Sequence, residues 1–495
     1  MTKPQLQPGA SGHNDVCPCG SQKKYEKCCG KAAKFSAAMQ AALQACEAEN
    51  WQQAQTSCEQ ALRLEPNHAD ALQLRVTIAL QRRDHKTALT YLRRAIQQSP
   101  QSSTLYNILG TIQLELQRIN EAEQSYKTAI QLDSDNAKAH HKLGDIWHSQ
   151  GKLAEAQQAY REALRCQPNF PEVHNNLGQL LLSVHQYDQA IVHLVRAIEL
   201  RPEQHKTYHL LALALQEQGR YQQAQAVLEQ VIRLKPDYAE AWHELGVSLL
   251  GQRRLSEGIA ALEKSVQLDP KLVQGYLNLG GLHYEHGLAD IAREYFRRAQ
   301  AILPSDALHI KTALCLPAVY ESAAQVQAER ERLTAELKHL ANKKLRLTDP
   351  LNEVALTPFY LAYQGENEVE MLSRIGDLFL KTCPTLGQVA PHCLTPKRGG
   401  EPLKIGFLSS SFARENHIVN RVMSGVIANW PRDRFQVTLL HPNAPCNEIR
   451  LMLRDGDRLL HVPNALEAAR QQIAAAQFDI LFYCDLGMEP WTYFL

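Results

Sequence analysis

The sequence predicts a mainly α-helical chain: a superhelix of antiparallel helix pairs, then a helical connector, then an α/β half-domain built on a parallel sheet. Three observations predict it. Proline stands at 66, 100, 168, 202, 236, 270 and 304, every interval being 34 residues or twice that, with Ser134 on the missed beat. Small residues keep the same period in two more combs, one running from Ala54 through Ala88, Ala122, Ala156, Ala190, Ala224 and Gly258 to Ala292, the other through Gly110, Gly144, Gly178, Ala212, Gly246 and Gly280. After Pro402 short continuous apolar runs alternate with helical spacing, the pattern of a buried parallel sheet.

Composition bounds what such a chain does. Its 495 residues exceed one ordinary domain, and 53 Lys plus Arg against 52 Asp plus Glu leave a net charge of +1. No broad positive field draws it to nucleic acid. No run approaches the ~18 apolar residues of a membrane span, and the first sixteen residues lack the apolar core of a signal peptide, so a cytoplasmic protein without a membrane span is expected. Twelve cysteines are too dilute for a secreted disulfide scaffold, yet four crowd into residues 17 to 29.

That cluster is the first element, residues 15–31. Cys17 and Cys19 stand two apart, an eight-residue loop follows, and Cys28 and Cys29 are adjacent. Four thiolates suit tetrahedral zinc, and a site closed by four protein ligands is structural rather than catalytic. Lys23, Lys24 and Lys27 offset the excess negative charge of four thiolates on one dication. The spacing resembles the SEC-C zinc motif, the carboxy-terminal knuckle of the SecA translocation ATPase. The resemblance implies structural zinc on Cys17, Cys19, Cys28 and Cys29 and a contact module for another protein, such as the ribosome or translocation machinery.

Residues 35–306 hold the repeat. Apolar residues such as Leu211, Leu215, Leu228 and Val231 keep helical spacing. Small residues mark where two helices touch, and Pro ends the second helix of each pair. Period and combs together match the tetratricopeptide repeat, and eight repeats fit. The first two depart from the pattern, with Val76 on the small-residue comb and Ala38, Ala41 and Ala45 in place of bulkier residues. One repeat cannot bury its own apolar face, so stacking supplies the core and leaves a long concave surface for a protein or peptide partner. The alternative is a spacer. Tyr106, His140, His174, Tyr208, Trp242 and Tyr276 share one repeat phase and His141, His209 and His243 the next. Residues one repeat apart are too distant to share an ion, so both series are expected to pack rather than ligate.

The combs vanish in residues 307–402, while helical spacing persists over 321–340 and 368–383. LPAVYES (316–322) and FYLAYQGEN (359–367) are too apolar for a linker, so a helical bridging domain is expected. In residues 403–495 the strand-like runs are 403–409, 435–441, 458–462 and 478–485, separated by helical spacing over 419–429, 447–453 and 466–476. Such sheets take ligands beyond the carboxyl ends of their strands, which places 409–420 and 485–489 on one rim. No GxGxxG or P-loop sequence occurs there. His417 is the candidate general base by residue type, since a neutral imidazole accepts a hydroxyl proton near pH 7. Asp485 is a second rim candidate and equally a strand-end cap.

IGFLSSSFARENHIVNRVMSGVI (405–427) and FDILFYCDLGMEPWTYFL (478–495) resemble the bacterial, SPINDLY-like branch of the protein O-GlcNAc transferase family, as do LPAVYES and FYLAYQGEN. The resemblance implies a tetratricopeptide superhelix fused to the first Rossmann-like half of a GT-B glycosyltransferase. It implies transfer of GlcNAc from UDP-GlcNAc to Ser or Thr of proteins presented by the repeats, with Asn416-His417 at the position of the acceptor-facing histidine. The family's donor half lies beyond the residues matched, so this chain is expected to be truncated and inactive by itself. Ser411 replaces an acidic residue of the animal enzymes, the approach to His417 is one residue longer, and of the family's inner-face asparagines Asn176 and Asn278 remain while Lys142, Leu210 and Glu244 replace others. The alternatives to an enzyme are an adaptor that binds proteins without chemistry, and a factor targeted through the zinc knuckle.

Overall fold

The small-residue combs become the contact points of helix pairs. In the computed structural model, which describes residue 24 and residues 29–394, 402–415, 417–443, 447–451, 453–485 and 490–494, the chain divides into two compact units, 1–236 and 237–495. The first unit holds α1 (Cys29–Glu47) paired with α2 (Trp51–Leu64), α3 (Ala69–Gln81) with α4 (His85–Gln98), and α5 (Ser103–Glu115) with α6 (Ile119–Leu132). It continues with α7 (Ala137–Ser149) and α8 (Leu153–Cys166), α9 (Pro171–Ser183) and α10 (Tyr187–Leu200), and α11 (His205–Glu217) and α12 (Tyr221–Leu234). The second unit opens with two more pairs, α13 (Ala239–Gly251) with α14 (Leu255–Leu268) and α15 (Val273–Glu285) with α16 (Ala289–Ile302).

Five of the pairs are closed by a match of sizes sixteen residues apart. A Cβ on Gly144 would lie 2.6 Å from the Tyr160 ring, one on Gly280 2.5 Å from Phe296, and one on Gly178 2.6 Å from Leu194. Glycine is present because the facing helix fills the space its side chain would take. Where the first helix carries Ala42, the position opposite narrows to Cys58, and both are fully buried. The Ala comb is also buried, with Ala54, Ala88, Ala122, Ala156, Ala190, Ala224 and Ala292 at 0% exposure.

A further 34-residue comb appears only in the backbone. Glu49, Arg83, Gln117, Gly151, His185, Gly219, Arg253 and Gly287 all have φ between 53° and 77°, at the turn joining the two helices of each pair. Only three of the eight are glycine, so side-chain identity hides the pattern. Polar caps reinforce some helix starts, as where the Asn136 side chain accepts from the Ala139 N–H at 3.0 Å.

Within the second unit, α17 (Asp306–Leu314), α18 (Ala323–Ala341), the single turn α19 (Pro350–Glu353) and α20 (Val369–Thr382) form the connector. Its core joins Leu333, Leu337 and Leu340 of α18 to Ile375 and Phe379 of α20 and to Phe296 of α16. The buried Arg293 of α16 clasps Glu329 of α18 through two hydrogen bonds of 2.9 and 3.0 Å and also donates to the Cys315 carbonyl at 2.9 Å. A forked guanidinium matched to a carboxylate fixes orientation as well as charge.

The last segment is β1 (Leu403–Leu408), α21 (Ile418–Asn429), β2 (Phe435–His441), a turn α22 (Asn447–Arg450), β3 (Arg458–His461), α23 (Leu466–Ala476), β4 (Ile480–Tyr483) and a turn α24 (Pro490–Phe494). All pairings are parallel and the strand order is β3-β2-β1-β4. The chain moves outward from β1 to β3 and then returns to the other side of β1. That reversal opens the crevice in which open α/β sheets bind ligands. The helix expected over 447–453 is only one turn, Asn447–Arg450, and the strand expected over 478–485 narrows to Ile480–Tyr483. Among the described residues no helix is long and apolar enough to cross a membrane.

Candidate functional site

The rim beyond β1 and β4 is built around one buried carboxylate. Asp485 follows β4 and is 2% exposed. Its Oδ2 accepts from Ser409 Oγ at 2.8 Å, from Ser410 N–H and Oγ at 3.1 Å each, and from Ser411 Oγ at 3.3 Å. Three successive serines after β1 thus turn back onto an acid 74 to 76 residues away in sequence. The Ser409 hydroxyl also accepts from the Ser411 N–H at 2.9 Å, which closes the 3-10 turn Ser410–Ala413. Asp485 therefore serves as the anchor of the β1 loop. Beside it, burial first and the Asp485 carboxylate second push the Cys484 thiol far up, which favours its protonated form.

His417 occupies the N-cap of α21, half-buried, with Nδ1 accepting from the Val419 N–H at 3.3 Å. An imidazole that accepts at Nδ1 carries its proton on Nε2 when neutral. In this arrangement His417 offers a hydrogen-bond donor at its outer nitrogen. The buried Asn420 secures the loop before it, donating to the Ser411 carbonyl at 3.1 Å and the Arg414 carbonyl at 2.6 Å. Two histidines that sequence reasoning passed over, His441 at the end of β2 and His461 at the end of β3, stand at the same edge of the sheet. Strand register would have found them. A cleft of about 630 Å³ in this unit, lined by residues including Pro391, His392, Arg470 and Phe478, includes neither His417 nor Asp485.

In the repeats, same-phase residues pack and hydrogen-bond rather than converge on a centre. Asn176 donates to His141 Nε2 at 3.1 Å and to Asp145 Oδ1 at 2.8 Å, while Tyr160 donates to the same Asp145 oxygen at 3.0 Å. Burial would raise the Asp145 carboxyl, but the Lys142 ammonium 3.0 Å from Oδ2 lowers it, and the Asn176 and Tyr160 donors favour the carboxylate. The motif recurs in the second unit, where Asn278 donates to His243 Nε2 at 2.9 Å and His243 Nδ1 bonds Glu244 at 2.9 Å. Both retained asparagines are thus oriented by a buried histidine of the preceding repeat. Elsewhere His174 and His193 meet Nδ1 to Nδ1 at 3.0 Å.

Cys17, Cys19 and Cys28 lie outside the described residues, and of Cys29 only the backbone, at the start of α1, is described. Among the described residues no group of three or more His, Cys, Asp or Glu could hold a metal ion.

Comparison with known families agrees with the repeat geometry. Tetratricopeptide repeat profiles match residues 39–103, 110–151, 144–184, 170–237 and 209–273. The chain carries tetratricopeptide repeats. A SEC-C motif matches residues 14–31. The SecA protein translocase subunit of Alkaliphilus oremlandii (strain OhILAs) is 64% identical over 28 residues, which are 6% of this chain and 3% of that protein. The chain therefore spans about 3% of the length of that curated relative. Among solved structures, YrrB, described as a TPR protein with an unusual peptide-binding site, is 21% identical over 37% of this chain and 95% of its own, with a TM-score of 0.36. MamA from Desulfovibrio magneticus RS-1 is 26% identical over 34% of this chain and 94% of its own, with a TM-score of 0.32. A tetratricopeptide repeat protein from Parabacteroides merdae ATCC 43184 is 16% identical over 54% of this chain and 98% of its own, with a TM-score of 0.38.

Proposed function

We propose that this chain handles the acceptor in a protein glycosyltransferase of the O-GlcNAc transferase type. The repeats bind a polypeptide, and the rim after β1 receives its Ser or Thr hydroxyl opposite a UDP-GlcNAc donor. The observation that carries the reading is the switch point itself, where the β1 and β4 loops are locked together by Asp485 and the next helix begins at His417. In this reading Asp485 positions the loop and His417 is the base. The hydroxyl proton passes to Nε2, the oxygen bonds the sugar's anomeric carbon, and UDP departs with the electrons of the broken bond. Nε2 accepts only in the tautomer protonated on Nδ1, so the Val419 contact opens first, at about 1 kcal/mol for a lost N-cap.

The test is selection of peptides by the full chain, followed by exposure of captured peptides to UDP-GlcNAc and mass spectrometry. Capture that requires a Ser or Thr hydroxyl and weakens in the Asn176→Ala, Asn278→Ala double variant is expected, and any sugar addition must vanish in His417→Ala. Capture indifferent to hydroxyls, or addition that survives loss of His417, contradicts the reading.

A second reading, an adaptor without chemistry, is favoured by the structural use of both rim residues, His417 as a helix cap and Asp485 as a loop anchor. His417→Asn separates the two, because asparagine caps a helix but cannot act as a base. In either reading the amino-terminal SEC-C motif is proposed to hold one zinc on Cys17, Cys19, Cys28 and Cys29 and to contact a partner such as the ribosome or translocation machinery. Cys28→Ser is expected to lose the zinc.

A further inference from the structure

The carboxyl edge of the sheet carries two imidazoles in register. His441 is the last residue of β2 and His461 the last of β3, and the two are direct partners in the parallel ladder. Register partners project to the same face of the sheet, and here the ring centroids are 5.7 Å apart at 74°. His441 is 5% exposed, whereas His461 is exposed.

The tautomer of His441 is set by its backbone. Its Nδ1–H donates to the Asn443 carbonyl two residues on, which leaves the ring's lone pair on Nε2. A ring whose far N–H is held by a main-chain carbonyl is the arrangement that orients histidine ligands of metals. Burial holds the His441 ring below the usual histidine range against the opposing Asn443 hydrogen bond, with the neighbouring His461 and Arg450 adding to the lowering. Arg450, on α22, is exposed and its charge is screened by solvent.

We propose that His441 and His461 form a two-imidazole site for a divalent transition metal at the carboxyl edge of β2 and β3. Imidazole favours nickel, copper and zinc over magnesium or calcium. Two protein ligands leave the remaining positions to water or to an anionic oxygen, so a bound cation would draw phosphate- or carboxylate-bearing ligands to the rim where open α/β sheets bind them. The site is independent of the transferase reading and distinct from the cysteine cluster.

The test is equilibrium dialysis against nickel of the full chain loaded with one zinc per chain, which four thiolates take ahead of two imidazoles. Wild-type protein is expected to hold one more nickel per chain than His461→Gln, a change at an exposed position that leaves the fold intact by circular dichroism. His441→Gln should match His461→Gln, while His286→Gln should match wild type. Equal nickel content in wild type and His461→Gln overturns the proposal, as does a loss in His441→Gln that His461→Gln does not share.

Discussion

The repeat pairs and the terminal sheet solve the same problem in opposite ways. A repeat closes through residues sixteen apart, as Gly144 does on Tyr160, and through a turn that recurs every 34 residues. The sheet closes its rim through Asp485 and Ser409, 76 residues apart. Local closure lets each pair tolerate change by itself, whereas the rim gathers three successive serines on a single acid. Damage in a repeat should therefore stay local, and damage at Asp485 should loosen the whole β1 loop.

The largest expected effect is at that acid. Asp485→Ala leaves the buried Ser409 and Ser411 donors without their charged acceptor and should cost about 3 kcal/mol by denaturant unfolding, since hydrogen bonds to charged groups contribute ~1.5–3 each. Proteolysis should then cut within 409–415 while the repeats resist. Gly144→Val comes next, at about 2 kcal/mol from overpacking against Tyr160. Adding Tyr160→Ala should recover part of it, and no recovery would break the size-matching account. Opposite in sign, Gln117→Gly should stabilise by about 1 kcal/mol by relieving a left-handed backbone, read as a raised unfolding midpoint.

A further effect is on pH. Burial, then His174 and Arg161, hold His193 at about 4, and burial also lowers His174. Unfolding returns both to ~6.5, so the unfolded chain binds protons that the folded chain refuses. Stability should fall as pH drops from about 6.5 toward 4 and change little above neutrality. His193→Phe should flatten that slope, and an unchanged slope would remove the pair from the account.

The difference in closure also explains what the sequence made legible. The proline and small-residue combs gave the helix pairs because each contact is written within one repeat. The left-handed turn comb was hidden because Glu49, Arg83 and His185 adopt what glycine adopts at Gly151. The matched sizes at Gly110 and Tyr126 or Gly280 and Phe296 could have been found by laying the second helices over the first. For the sheet, apolar runs located the strands, but nothing local to Asp485 names Ser409 as its partner. His417 was legible as a rim residue and illegible as a cap, since histidine is an uncommon acceptor at that position.

The most direct measurement is photo-crosslinking of a captured Ser peptide carrying a photoreactive group beside its hydroxyl, with the attachment site mapped on the full chain. Attachment within 409–420, lost in Asp485→Ala while capture persists, is the predicted result. Attachment confined to the helix pairs would contradict the claim that a bound polypeptide delivers its hydroxyl to the rim.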